Sequence, residues 1–236
     1  MKILVMGGMH GNEPLGPDIV RLFRDKPVRG VDTVLANEQA LSANVRFIKH
    51  DLNRSFPGNA RSKEYEPRRA AELLRLTRKY DIVLDFHNTH CPNNDCGFVG
   101  EGAKQLLPPA AAWLGLDRLI VADYDCLNKF AANCLSVEIS LPSDKRAAAD
   151  WYKKISKLAQ TTILSPALAV QTYRFAYRMT LDDKEMFNLA GENIKAFQPI
   201  KPEIAAKLGV KNPAFPIFVN DKYTPYNYGG LLNKID

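Results

Sequence analysis

Short apolar runs alternate with helical periodicities through the first two thirds of the chain, and this alternation constrains the fold more than any other feature. KILVM (2–6), VDTVLA (31–36), IVLDF (82–86), DRLIVA (117–122) and CLSVEI (134–139) are brief and apolar and end at glycine or polar clusters. Such runs suit strands buried on both faces of a parallel sheet. Between them, residues 62–80 place Ala70, Leu73, Leu74 and Thr77 at helical spacing behind Ser62, an expected N-cap. Residues 144–160 repeat the pattern with Ala148, Trp151, Ile155 and Leu158. Strand and helix in alternation predict an α/β fold, a mainly parallel or mixed sheet with helices on both faces. After about residue 162 the pattern changes to TYRFAYRM, with its two-residue period, and then to proline-containing segments such as NPAFPIFVN. The expected organisation is therefore an α/β domain over 1–162 and a small β-rich domain over 163–236.

Hydrophobic residues at 46 % and charged residues at 25 % are the balance of a globular protein. No run approaches the roughly 20 apolar residues of a membrane-spanning helix. The opening MKILVMGGMHGNE reads as a strand and not as an address, so the cytoplasm is the expected compartment, without a membrane partner. Lys and Arg number 32 against 26 acidic residues, a net charge of +6. The basic residues are scattered, as at Arg68, Arg69, Arg75, Arg78 and Lys79, with no run or aromatic ladder to track a nucleic acid. A modest positive field favours a small acidic partner instead. Cys91, Cys96, Cys126 and Cys134 form no CxxC pair, and free thiols are expected. A Cys91–Cys96 disulfide is the alternative.

The chemistry concentrates on few residues. His10 follows the first apolar run in GGMHGNEP with Glu13 three residues on, and His87 closes another in LDFHNTH. In an open parallel sheet the carboxyl ends of strands face the ligand crevice. Two imidazoles and a carboxylate converging there match a catalytic metal with an open position. An isolated HxxE is also common by chance, and a lone histidine after a strand is usually a hydrogen-bonded loop residue. His50 and His90 read as surface residues or as supports behind the ligands, not as ligands themselves. The segment VRFIKHDLNRSFPG (45–58) adds Arg46, Asp51, Asn53 and Arg54. Arg54 beside Asn53 has the fork geometry for a carboxylate, and Arg46 suits a developing oxyanion. A solvated loop of surface ion pairs is the plainer reading of that segment alone.

Taken together, GGMHGNE, RFIKHDLNRSFPG, DFHNTH and a glutamate in the apolar run LSVEISLP resemble the aspartoacylase and succinylglutamate desuccinylase family, which is related to the zinc carboxypeptidases. The resemblance covers about residues 1–140. It implies one zinc ion per chain held by His10, Glu13 and His87, with Asp51 behind His10. It implies Glu138 as general base and Arg46 as oxyanion stabiliser in hydrolysis of an amide, with Asn53 and Arg54 on a substrate carboxylate. The implied substrate is a small acidic N-acylated amino acid; homo-oligomer formation stays open. Where the aspartoacylases carry a further arginine, CLNKFAANCLSVE offers Lys129 as a single-point contact. A tyrosine from the C-terminal part is also implied, with Tyr223 the nearest match and Tyr226 and Tyr228 as alternatives. A zinc carboxypeptidase gripping a peptide C-terminus would use nearly the same residues. A metal-binding module without catalysis would need neither Glu138 nor Arg46.

Overall fold

The computed structural model describes residues 1–122, 124–141, 145–161, 164, 170–190, 193–221 and 228–235. Nine strands run through them: β1 (Ile3–Gly7), β2 (Val31–Leu35), β3 (Ile82–Thr89), β4 (Cys96–Gly100), β5 (Arg118–Ala122), β6 (Cys134–Ser140), β7 (Gln171–Met179), β8 (Ala214–Ile217) and β9 (Gly229–Ile235). They form one sheet in the order β2-β1-β3-β6-β4-β5-β7-β9-β8. Pairs β1–β2, β1–β3, β3–β6, β4–β5 and β5–β7 are parallel. Only β4–β6, β7–β9 and β8–β9 are antiparallel. The expected mainly parallel α/β fold is borne out, and the β-rich C-terminal segment adds its strands to the same sheet.

The apolar runs are continuous because each strand is covered twice. Ile3 and Val5 face one core with α1 (Leu15–Asp25), α4 (Leu107–Leu114) and α6 (Lys145–Gln160), while Leu4 and Met6 face another with α3 (Tyr65–Thr77). Ile19, Phe23, Trp151 and Ile155 seal the first face, each worth roughly 1.5–3 kcal/mol in apolar burial. Ala70 and Leu73 of α3 seal the second with Leu52 and Phe56. The remaining helices, α2 (Glu38–Ala43), α5 (Leu127–Phe130), α7 (Leu181–Met186) and α8 (Pro202–Lys207), are short. Among the described residues no helix is long and apolar enough to cross a membrane.

Three details differ from the sequence reading. The helix expected over 62–80 spans Tyr65–Thr77, because Pro67 lacks an N–H and is tolerated only in a first turn. Ser62 lies outside it, its Oγ accepting from the Glu64 amide at 3.1 Å. The α1 helix was not expected, although Leu15, Ile19 and Phe23 carry a buried four-residue spacing. All four cysteines are buried and free.

Two glycines hold the loop after β1 by contact. A Cβ on Gly7 would lie 2.2 Å from the Gly16 carbonyl carbon, and one on Gly11 would lie 2.1 Å from that of Ala40. The loop carrying His10 is thereby pressed between the start of α1 and the backbone of α2. Gly102, by contrast, has nothing within 4 Å of its Cβ position. Gly11→Ala is expected to destabilise the fold by on the order of 2–4 kcal/mol, with Gly102→Ala within about 1 kcal/mol of wild type. Urea midpoints at unchanged slope check both.

Candidate metal centre and cavity

The site forms where β1, β3 and β6 end. Parallel pairing sets Gly7 of β1 beside Phe86 of β3, so the chain leaving β1 passes the end of β3. His87 is then the register partner of Glu138 on β6. Along β3, Ile82, Leu84 and Phe86 belong to the first core, so Asp85 and His87 point the other way with Val83. The same alternation on β6 places Leu135, Val137 and Ile139 in the core and Ser136 and Glu138 on the side of His87.

His10, Glu13 and His87 offer ligand atoms that all lie within 4.8 Å of one another, and all three residues are buried. His10 Nδ1 is 2.7 Å from Glu13 Oε1, and His87 Nδ1 is 3.1 Å from Glu13 Oε2. The outer nitrogens are held as well. His10 Nε2 lies 3.1 Å from Asp51 Oδ1, and His87 Nε2 lies 2.9 Å from Asp85 Oδ2. Asp51 thus stands behind His10, where the sequence reading put it. Asp85 was missed, although its place two residues before His87 on a strand is a signal that both share a face.

Each imidazole faces a carboxylate oxygen at both nitrogens, whereas a neutral imidazole has one N–H to donate. The arrangement therefore calls for a further proton or a metal cation at one nitrogen of each ring. Orientation of the outer nitrogen by a carboxylate is the usual support of a metal-bound histidine. The donor set of two imidazoles and a carboxylate fits a divalent transition metal.

The electrostatics agree. Burial opposes ionisation of Glu13, but His10 and His87 outweigh it and hold the carboxyl well below its ordinary range. Asp51 is held low in the same way, burial being overcome by His10, Arg46 and Arg54. Burial works against the charged form of His87, yet Asp85 and Glu13 raise its pKa well above the ordinary value. Burial pushes Glu138 up to about 8, with Glu13 and Asp221 adding to the effect and His87 and Arg46 opposing it.

One cavity gathers most of the residues expected at the site. His10, Glu13, Arg46, Asn53, Arg54, His87 and Glu138 all line it. Arg46 reaches Glu13 Oε1 at 3.5 Å and Asp51 Oδ2 at 3.3 Å. Arg54 donates to the Asn53 carbonyl at 2.9 Å, and its guanidinium carbon sits 4.6 Å from the ring centre of Tyr124. The Asn53 side chain accepts from the Leu127 amide at 3.2 Å. Lys129 is not among the lining residues; its ammonium meets Asp125 at 2.6 Å instead. Its neighbour Asn128 lines the cavity, its amide spent on the carbonyls of Phe98 and Cys134. Tyr223 and Tyr226 lie outside the described residues, and Tyr228 is buried with its hydroxyl donating to the Leu189 carbonyl.

Sequence reasoning expected the C-terminal part to shape the entrance but named none of the residues of the far wall. Phe175, Arg178, Ile217, Phe218, Asp221 and Gly230, all from the C-terminal segment, complete the cavity. Asp221 accepts from Thr89 Oγ1 at 2.7 Å, tying this wall to the end of β3. No local motif announces these residues, because strand order alone brings them to the site.

The mostly parallel sheet with helices on both faces and a buried His–Glu–His cluster at its strand ends is the architecture the motifs led one to expect. Residues 1–98 match the succinylglutamate desuccinylase/aspartoacylase catalytic domain, so the resemblance seen in the motifs is borne out. The human N-acyl-aromatic-L-amino acid amidohydrolase (carboxylate-forming) is 26 % identical over 85 % of this chain and 77 % of its own length. The rat protein of the same name is 33 % identical, over 41 % of this chain and only 36 % of its own length. In structure the chain is similar to the succinylglutamate desuccinylase from Chromobacterium violaceum, with a TM-score of 0.75 at 17 % identity, covering 100 % of this chain and 85 % of that one.

The support of His87 by Asp85 gives a direct expectation. Asp85→Asn should keep the fold and weaken binding of zinc or cobalt by roughly 10- to 100-fold. Metal titration against a competing chelator, with circular dichroism as the control, checks it.

Proposed function

We propose that this chain is a zinc-dependent hydrolase that cleaves the amide bond of an N-acylated amino acid. The observation that carries the reading is the convergence of His10, Glu13 and His87 in one cavity with Glu138 and three arginines. The similarity to amidohydrolases and to the desuccinylase/aspartoacylase catalytic domain supports it. His10, Glu13 and His87 would hold the zinc, with Asp51 and Asp85 fixing the imidazoles. When bound, zinc supplies Lewis acidity, lowering the pKa of water and polarising a carbonyl.

The remaining work falls to the chain's own groups. A zinc ion held by the adjacent cluster would favour the carboxylate form of Glu138, register partner of His87, which burial otherwise disfavours; that carboxylate takes the proton of the attacking water and returns it to the leaving amine nitrogen. Arg46 sits beside Glu13 and stabilises negative charge developing on the carbonyl oxygen. Arg54, steadied by Tyr124 and the Asn53 carbonyl, takes the substrate carboxylate through its remaining N–H groups. Residues of the C-terminal segment, among them Phe175, Phe218 and Gly230, shape the entrance. The products are a carboxylate and a free amino acid.

Metal analysis of the purified protein is expected to give about one zinc per chain, and little in His87→Ala; absence of stoichiometric metal in wild type even after zinc is offered would sink the reading. Glu138→Gln should retain the metal and lose turnover, and substantial residual hydrolysis would remove Glu138 from the base role. Arg54→Lys should raise KM for carboxylate-bearing substrates, because an ammonium lacks the bidentate fork; equal KM values in steady-state assays would take Arg54 out of the substrate site.

A further inference from the structure

The stretch LNKFAANCLSVE carries two uncharged polar residues, Asn128 in the short α5 and Ser136 on β6, whose side chains are both buried. Parallel pairing sets Ser136 beside Asp85 of β3, and antiparallel pairing sets it beside Phe98 of β4. Ser136 thus stands between the strand that carries His87 and the strand on which α5 rests. The approach of α5 is close: a Cβ on Gly100 of β4 would lie 2.2 Å from the Asn128 carbonyl oxygen. Side-chain alternation on β6 turns Ser136 to the same side as Glu138, toward the His–Glu–His cluster.

The amide of Asn128 can point only one way. Its Nδ2 donates to the carbonyls of Phe98 at 2.9 Å and Cys134 at 3.2 Å, which leaves Oδ1, an acceptor, 2.9 Å from Ser136 Oγ. Ser136 Oγ also lies 3.4 Å from Asp85 Oδ2, the oxygen that holds His87 Nε2 at 2.9 Å. A serine hydroxyl has one proton to give, and here two acceptors compete for it. Asp85 has the greater need. It is fully buried, and its Oδ1 has no hydrogen-bond partner. Among the described residues, Ser136 is the one side chain besides His87 that can donate to it. A buried carboxylate short of donors is costly, and an ionised acceptor takes a hydroxyl proton more strongly than a neutral amide does.

We propose that Ser136 is a positioning residue for His87. Its hydroxyl donates to Asp85 Oδ2, fixes the orientation of that carboxylate, and through it sets the plane of the imidazole whose other nitrogen faces Glu13. Asn128, locked by two backbone carbonyls, keeps Ser136 within reach and is the acceptor to which the proton turns when Asp85 does not take it. This rests on the zinc-site reading above and deepens it: the support of His87 continues beyond Asp85 and ends at the cavity wall, which Asn128 and Ser136 both line.

Full-length Ser136→Ala is expected to bind zinc about 3- to 10-fold more weakly than wild type in competition with a chelator. In the Asp85→Asn background the same change should cost nothing further, because Ser136 acts through Asp85. Ser136→Thr and Ser136→Val share a shape that a strand accepts and differ in the hydroxyl, so they test the contact even where Ser136→Ala folds poorly. Thr is expected to keep most of the affinity, and the visible absorption of its cobalt-loaded form should match wild type while that of Val is shifted. Wild-type affinity in folded Ser136→Ala, additive losses in the double variant, or equal affinities in the folded Thr and Val variants would overturn the proposal. Nuclear magnetic resonance of the metal-free protein with 15N-labelled histidine separates the two readings; the chain has four histidines, and His87→Gln identifies the signal. The His87 Nε2 proton should exchange with water slowly in wild type and faster in Ser136→Ala. That difference in a protein that takes up no metal would uphold Ser136 and sink the zinc site. Stoichiometric zinc held equally by wild type and Ser136→Ala would do the reverse, and neither metal uptake nor a difference in exchange would sink both.

Discussion

A chain of hydrogen bonds from Asp51 through His10, Glu13 and His87 to Asp85 organises the functional end of this protein. Its members come from three separate stretches of sequence, and all but Asp51 are buried. Burying this many carboxylates is unfavourable unless positive charge is placed among them. Arg46 provides part of it and the His87 imidazole another part, and His10, Glu13 and His87 lie close enough together to hold a metal cation as well. A half-satisfied network of this kind is costly in a low dielectric, so function and local stability are joined here.

Everything around the network serves to hold its ends together. The approach of Gly7 to Gly16, and of Gly11 to the backbone of α2, lets the His10 loop lie flat against the fold. The register of β3 with β6 fixes Glu138 beside His87 without a flexible connection. Glu66, fully buried, accepts from the backbone amides of Ile48 and Lys49 at 2.9 and 3.2 Å and pins the segment between Arg46 and Arg54. Groups placed on strands and pinned loops keep their positions better than groups on free loops, which is what a site relying on orientation needs.

Much of this was legible in the sequence. Continuous apolar runs betrayed strands covered on both faces. The HxxE pair, His87 at a strand end and Glu138 in a strand were visible as chemistry out of keeping with their apolar neighbours. Asp85 was equally visible in principle, since a carboxylate two residues before His87 must share its face. Lys129 shows the opposite lesson: a cation at a suitable sequence position turns to Asp125, four residues back and just ahead of the short α5 helix, where a partner lies close at hand.

The sequence by itself determined β1, β2, β3, β5 and β6 and therefore most of the double-sided core, because residue periodicity is a local property. The three-residue spacing of His10 and Glu13 also kept them close in the chain, and the structure joins them in a hydrogen bond. Tertiary structure alone decided that the C-terminal strands extend the same sheet and close the cavity, because strand order depends on pairing between segments distant in the chain. It alone decided which of Arg174 and Arg178 enters the site. Both lie in an unbroken alternating pattern, and only the two-against-one pairing at Ala176, imposed by the partner strand, reverses the face on which the second one falls.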